Sequence, residues 1–388
     1  MKSIIIGLFL VLNLHAISYE ELLELAIKNN TALEIAKSQE EQLLLEGDIE
    51  IRLENPTLEL GLADFSNKRI FQNHDFGGAV GISQSILLPS VKNARKRVNS
   101  SRVNVAKEKY NLQKSEFIYG FAMKYLAYKE AVELESTAEA ALSISSKIVH
   151  IAKERYQQGT GFKSNYLQAK IDHKNLQNSQ KSLSFKAIKV LNELQRLANI
   201  HALSSLEKEH TFTQTNVTAL HPLVSLTQEK KKLAEAKLQV ASHTMESIEV
   251  FSELEREPTE DIFRVGVKIS LILFNDKSQE KQLAKIERIN HQLALKGQKK
   301  SLTIELRQLE KETLLLKNML LEYEVLIEKQ HALLDIYEKG YGIAKINLLE
   351  VQMSKKSLIT NQENIIKTKV AIERNIVKMN YLKGKRYE

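Results

Sequence analysis

The 388-residue chain contains no cysteine, which excludes thiol catalysis, thiolate metal sites, disulfides and lipid attachment through an N-terminal cysteine. Proline is nearly as scarce. Its four occurrences, Pro56, Pro89, Pro222 and Pro258, fall where a helix would start or a strand region begins, and none interrupts a helical run. Glycine avoids two long stretches: residues 90–156 hold only Gly120 and residues 276–338 only Gly297. At 1.5 Å per residue, either stretch would reach roughly 100 Å as one helix. Long hydrophobic runs are missing too. Residues 1–16, with a lone Lys2, an apolar run over 4–14 and a small residue ahead of Ser18, read as a secretory signal. No later stretch supplies the roughly 18 uncharged residues of a spanning helix, so membrane contact would come from strands or a surface patch.

The formal net charge of +8 comes without a nucleic-acid signature. Lysine and glutamate alternate along the helices, and no aromatic-studded basic strip occurs, so the charges read as solvated helix faces. Nor is an enzyme signalled. The ten histidines are scattered, without His-Glu-x-x-His, close His-x-His or a nucleophile elbow. His173, His291 and His331 read as surface or tunnel residues, and neither metal nor cofactor is expected.

What the chain does have is a duplication. Tyr156-Gln157-Gln158-Gly159-Thr160-Gly161 recurs as Tyr337-Glu338-Lys339-Gly340-Tyr341-Gly342, 181 residues on, each followed by a leucine at the same distance, Leu167 and Leu348. Val80 to Ile86 similarly matches Val265 to Leu271. Each half therefore reads as short helix, two strands, long helix, glycine turn and return helix. In the second long helix, Leu302, Leu306, Leu309, Thr313, Leu316, Leu320, Tyr323, Ile327, Gln330, Leu334 and Tyr337 follow a four-three alternation, a coiled-coil seam that neighbouring helices must bury. The return helices are expected at about 163–200 and 343–382, and the glycine pairs would allow the reversal through positive φ. Shorter helices are expected at about 19–51 and 223–245.

Strands are expected at about 57–65, 76–88, 247–256 and 261–274. In the last, Phe263, Val265, Val267, Ile269, Leu271 and Leu273 share one face, opposite Arg264, Gly266, Lys268 and Ser270. Runs of roughly ten residues suit a tilted strand crossing a bilayer. Four strands cannot close a barrel, and an open edge in lipid leaves backbone groups unpaired, so several copies must pool their strands. A soluble four-stranded sheet packed on helices is the other reading. Residues 201–220 read as a crossover between a first repeat, 17–200, and a second, 221–388; no chemistry is evident in them.

Secretion, duplication, Tyr-x-x-Gly turns with a downstream leucine and two strand pairs together resemble the TolC family of outer-membrane efflux proteins, over essentially the whole mature chain. Asn55-Pro56-Thr57-Leu58-Glu59, Gln84 ahead of Leu87-Leu88-Pro89, the basic run 92–97 and Leu273-Phe274-Asn275 are similar to the heavy-metal branch typified by CzcC. The resemblance implies a mainly α fold with a small β part: long antiparallel helical hairpins forming an α-barrel, and four strands from each copy of a homotrimer in a shared 12-stranded β-barrel. It also implies a periplasmic adaptor (membrane fusion) protein and an inner-membrane pump of the resistance-nodulation-division type as partners, with outer-membrane lipid around the barrel. This chain would be the passive exit duct, with metal ions as the favoured substrate. By the same resemblance Tyr156, Gly159, Thr160 and Gly161, and Tyr337, Gly340, Tyr341 and Gly342, would dock the adaptor at the periplasmic tip, while Asn165, Gln168, Asn347 and Glu350 would constrict the tunnel. Ringed copies of Glu350 would concentrate cations. The chain departs from the family in being less acidic there, and Gly342 stands near where some members place an arginine. A periplasmic coiled-coil adaptor or scaffold, and an exit for type I secretion, are the alternative functions.

Overall fold

The computed structural model describes residues 17–64, 76–201, 203, 206–215 and 219–385. The expected secretory signal, residues 1–16, and residue 65 at the end of the first expected strand lie outside them. In chain order the described elements are α1 (Tyr19–Lys28), α2 (Thr31–Ile51), β1 (Thr57–Asp64), β2 (Phe76–Leu87), α3 (Pro89–Gln157), α4 (Lys163–Ala198), α5 (Pro222–Ser242), β3 (Ser247–Arg256), β4 (Asp261–Ile269), α6 (Ser278–Gly342) and α7 (Leu348–Leu382). The chain is mostly helical, and the order helix, two strands, long helix, return helix is written twice. Each proline-marked start is used: Pro89 and Pro222 open α3 and α5, where the missing N–H would be unpaired in any case.

Contacts group these elements across the repeats. Of the described residues, one compact unit holds those within 17–31, 113–221 and 301–385, and the other those within 32–112 and 222–300. The second unit carries the sheet, an antiparallel meander in the order β1-β2-β3-β4. Its central pairing, Ile82 opposite Ser252 and Ile86 opposite Ile248, joins a strand of the first repeat to one of the second. The edges, β1 and β4, have no further strand beside them among the described residues.

The fourth strand is shorter than expected. It stops at Ile269 because its partner begins at Ser247 and Ile248 is already paired with Ile269. Beyond it Asn275 and Asp276 turn the chain, their side-chain oxygens accepting from the N–H groups of Lys277 (3.1 Å) and Ser278 (3.0 Å). Leu271 and Leu273 thus lie outside the strand face assigned to them.

The helical unit is built on three apolar clusters. In the largest, Ile118, Phe121, Ala122, Tyr125 and Leu126 recur along α3 at three- and four-residue steps and pack with Leu22 of α1, Leu194 of α4 and Val370 of α7. The α6 seam is as expected: every position from Leu302 to Tyr337 is buried or half-buried, with Leu309, Thr313 and Leu334 the deepest. A second α6 face is not covered. Leu314, Leu315, Leu321 and Val325 are each more than 60% exposed.

The crossover is stitched down rather than free. Tyr125 and Tyr128 donate their phenols to the carbonyls of Glu207 (2.8 Å) and Leu206 (3.4 Å), Lys129 Nζ donates to the carbonyl of His210 (3.1 Å), and Asn380 Nδ2 donates to that of Thr213 (2.9 Å). The ring of His210 stacks on Tyr19 at 4.4 Å, meets Phe212 edge-on at 4.6 Å, and contacts Glu20 through Nδ1 at 2.8 Å. Burial lowers the His210 pKa from its ordinary 6.5 and outweighs the Glu20 and Glu373 carboxylates, while Lys129 acts with the burial. The unfolded chain therefore takes up that proton more readily. Stability from the neutral ring is complete above pH 6.5 and is lost as pH falls through the folded value. Thermal midpoints are expected to fall on acidification over that range, and by less in His210→Phe. Glu133, whose pKa burial raises, works in the opposite direction, so the comparison between the two proteins isolates the histidine.

Candidate functional site

The two helical reversals lie together in the helical unit. In the first, the N–H groups of Thr160 and Gly161 both donate to the carbonyl of Arg155 (2.9 and 3.0 Å), that of Gly159 donates to Tyr156 (3.2 Å), and Gly159 takes a φ of +74°. In the second, the N–H groups of Lys345 and Ile346 donate to the carbonyl of Gly340 (2.9 and 3.2 Å), that of Ala344 donates to Tyr341 (3.2 Å), and Ala344 takes a φ of +62°. The geometry repeats at a spacing of 185 residues, the spacing of Val80 and Val265 in the strands.

The sequence recurrence at 181 is therefore out of register by four residues, about one helical turn. Tyr341, not Tyr337, is the counterpart of Tyr156, and Tyr337 and Gly340 lie inside α6. Of the four glycines, only Gly159 uses left-handed backbone. Gly340 instead admits a close neighbour, since a Cβ there would lie 2.5 Å from Ile346 Cγ1, whereas Gly342 has open space around it. Gly340→Ala is expected to cost about 1–3 kcal/mol by overpacking, and Gly342→Ala to be neutral or slightly stabilising. Ala344→Gly is expected to stabilise by about 1 kcal/mol, through relief of left-handed strain. Denaturant midpoints of the three variants check this order.

Arg155 ties one reversal to the other. Its guanidinium donates to the carbonyls of Tyr341 (2.9 Å) and Thr160 (3.1 Å) and lies 4.5 Å from the centre of the Tyr341 ring. Tyr341 is 1% exposed, and burial raises its phenol pKa against the opposing pull of Arg155. Tyr156 is outward by contrast, stacked on Tyr166 with centroids 6.3 Å apart. Phe162 and Ile343 are exposed beside the turns.

The four expected constriction residues do not form two equivalent pairs. Asn347 is the N-cap of α7 and forms a reciprocal capping box with Glu350, at 3.0 and 3.1 Å. Its counterpart is Phe162, the N-cap of α4. At the 185-residue spacing, Asn165 corresponds to Glu350 and Gln168 to Met353. Asn165 is half-buried, while Gln168 and Glu350 are exposed. The next polar layer was not anticipated: Lys355, whose side chain is 3% exposed, pairs with Asp172. Its signal was present in the sequence, a lysine set into the apolar stripe Leu348, Val351, Leu358 of α7.

In the sheet, register gathers most apolar side chains on one face; the exceptions include Gln84 and the Arg256–Asp261 pair on that face and Phe251 and Ile262 on the other. One face carries Leu58, Leu60, Val80, Ile82, Ile86, Ile248, Val250, Leu254, Phe263, Val265, Val267 and Ile269. The other carries Glu59, Glu249, Glu253, Glu255, Arg264 and Lys268 among small residues such as Gly61, Ala79, Gly81, Ser83 and Gly266. Lys268 meets Glu249 at 3.0 Å, and Arg264 bridges Glu253 (3.5 Å) and Glu255. Carboxylates exceed cations by two on this face. Among the described residues no cluster of side chains suits a metal ion, and no helix is long and apolar enough to cross a membrane.

The architecture is shared with channels of the bacterial outer membrane. The outer-membrane protein VceC of Vibrio cholerae superposes with a TM-score of 0.81 at 14% identity, over 95% of this chain and 97% of that one. The CmeC outer-membrane channel of Campylobacter jejuni gives 0.76 at 14% identity, over 95% and 86%. CusC, studied for the changes that accompany its folding and transmembrane channel formation, gives 0.80 at 13% identity, over 94% and 92%. This chain has the outer-membrane channel fold. No family model and no curated protein matches it by sequence. The fold implied by the TolC-family resemblance is thus the fold observed, and the likeness to these channels does not single out the heavy-metal branch.

Proposed function

We propose that this chain is the outer-membrane exit duct of a tripartite efflux system, passively conducting metal ions delivered by a pump and adaptor. The observation that carries this reading is the sheet: four amphiphilic strands, apolar on one face and charged on the other, with both edges open. Three copies would pool twelve strands into one barrel, with the apolar face in lipid and the charged face lining the bore. The exposed α6 stripe of Leu314, Leu315, Leu321 and Val325 supports contact between copies in the helical tunnel. An excess of two carboxylates per copy along the bore favours cations over anions. At the tip, Tyr156, Phe162 and Ile343 supply exposed apolar surface for an adaptor, alongside Gly159, Thr160, Gly161 and the second turn.

Cell fractionation tests the location. Recovery in detergent extracts of the outer membrane is expected, and recovery in soluble periplasm would favour the scaffold reading. Loss of the chain is expected to sensitise cells to divalent metal salts; sensitisation to organic drugs alone would overturn the metal assignment and leave the duct standing.

A further inference from the structure

Residues 76–107 contain no aspartate or glutamate but six basic residues, Lys92, Arg95, Lys96, Arg97, Arg102 and Lys107. The structure sets the first of these immediately beyond the sheet, on the opening turns of α3 after β2 ends at Leu87. Two are already engaged within the same unit: Arg95 by Glu246, and Arg102 by Glu50 at 2.5 Å. Lys92, Lys96 and Arg97 are exposed and make no ion pair among the described residues; Arg97 bonds only the neutral Gln239, at 3.1 Å. Lys96 and Arg97 open onto a groove of about 420 Å³ between α3 and α5, also lined by Ser100, Ser101, Lys232 and Glu235. Its one carboxylate lies 3.7 Å from Lys231.

The same end of the sheet carries a second, independent feature. After β4 the chain runs through Leu271, Leu273 and Phe274, which are 80%, 71% and 99% exposed. Uncovered leucine and phenylalanine at the same end of the sheet as unpaired cations is the composition of a membrane interface, where rings and aliphatic chains enter the acyl boundary and cations meet phosphate.

The heights agree. Lys92 and Arg97 lie about 5 and 12 Å along α3 from Pro89, and helix side chains lean toward the N-terminus, here toward the sheet. A headgroup layer extends roughly 5–7 Å beyond the hydrocarbon on each side, within reach of all three side chains. The helix itself does not require this charge, because the equivalent opening of α6 mixes Lys281 and Lys285 with Glu280 and Glu287.

Resting on the outer-membrane reading, we propose that Lys92, Lys96 and Arg97 bind the headgroups of anionic phospholipid in the leaflet at the helical end of the barrel, with Leu271, Leu273 and Phe274 in the adjoining acyl boundary. The band fixes the depth of the barrel and makes insertion depend on lipid charge.

The test compares the full chain with Lys92→Gln/Lys96→Gln/Arg97→Gln in vesicles of phosphatidylcholine alone and with phosphatidylglycerol added. Each cation at an anionic surface contributes about a fivefold factor, so phosphatidylglycerol is expected to strengthen wild-type binding by at least on the order of a hundredfold, the contribution of the three cations of a single copy. The preference should vanish in the glutamine variant and at high salt, and persist in Lys92→Arg/Lys96→Arg/Arg97→Lys. Inorganic phosphate added to phosphatidylcholine vesicles should not reproduce it, and reproduction would reassign the site to free phosphate. Equal wild-type binding to both vesicles overturns this inference alone. So does a glutamine variant that keeps the lipid preference, or one that fails to oligomerise in detergent, which would make the face a contact between copies. Failure to enter either vesicle overturns the outer-membrane reading and this inference with it.

Discussion

Arginine at position 82 is expected to abolish assembly in the membrane, while arginine at position 83 is not. Ile82 lies near the middle of β2, opposite Leu58 and Ser252 on the apolar face. A cation on the lipid side near mid-bilayer costs about 2–4 kcal/mol, and in a homotrimer the substitution enters three times. Ser83, the next residue, faces the other way, in register with Thr57, Phe251 and Gly266 and beside the charged rows of Glu249 and Lys268. There a guanidinium meets water and carboxylates. Ser83→Arg should assemble normally and reduce cation preference, since it offsets part of the carboxylate excess. Heat-stable oligomers recovered from outer membranes report the first effect and reversal potentials the second. Equal assembly of the two variants would mean that the apolar face is not against lipid.

Tyr341→Ala carries the largest effect expected at the helical reversals, about 3–5 kcal/mol. The ring is buried with Leu334, Leu348, Val351 and Ile148, and its loss also removes the surface on which Arg155 rests. The two reversals are joined by that arginine, so the damage should spread to both. Amide exchange is expected to quicken around Thr160 and Gly161 as well as around Lys345 and Ile346, whose N–H groups close the turns. Tyr341→Phe keeps the ring and should cost less than about 1.5 kcal/mol. Exchange confined to the second turn would show that Arg155 is not the tie.

Much of this architecture was legible because it rests on periodicities. The α6 seam is a 3.5-residue repeat and the strands a two-residue repeat, and both survive because the faces they sort meet chemically different surroundings. The helical reversals were less legible, for a specific reason. A glycine in sequence does not say whether it is needed for positive φ or for lack of a Cβ, and the left-handed residue of the second turn is an alanine. Matching Gly159 with Gly340 therefore places the second reversal one turn early. By the hydrogen bonds that close the turns, the position equivalent to Asn165 is Glu350, which forms the capping box of α7 with Asn347. The crossover was opaque because its binding partners, Tyr125, Tyr128, Lys129 and Asn380, are side chains grasping backbone carbonyls, which leave no pattern in the segment they hold. The end of β4 depended on where β3 begins, a pairing fact that the alternation of Leu271 and Leu273 could not contain.

Ion conduction by the purified full chain in planar bilayers tests the central claim most directly. Stable, long-lived channels of uniform unit conductance and cation preference are expected from the oligomer. A water-soluble monomer that leaves the bilayer silent would contradict the account, because its strands would then have found their partners without lipid or like copies.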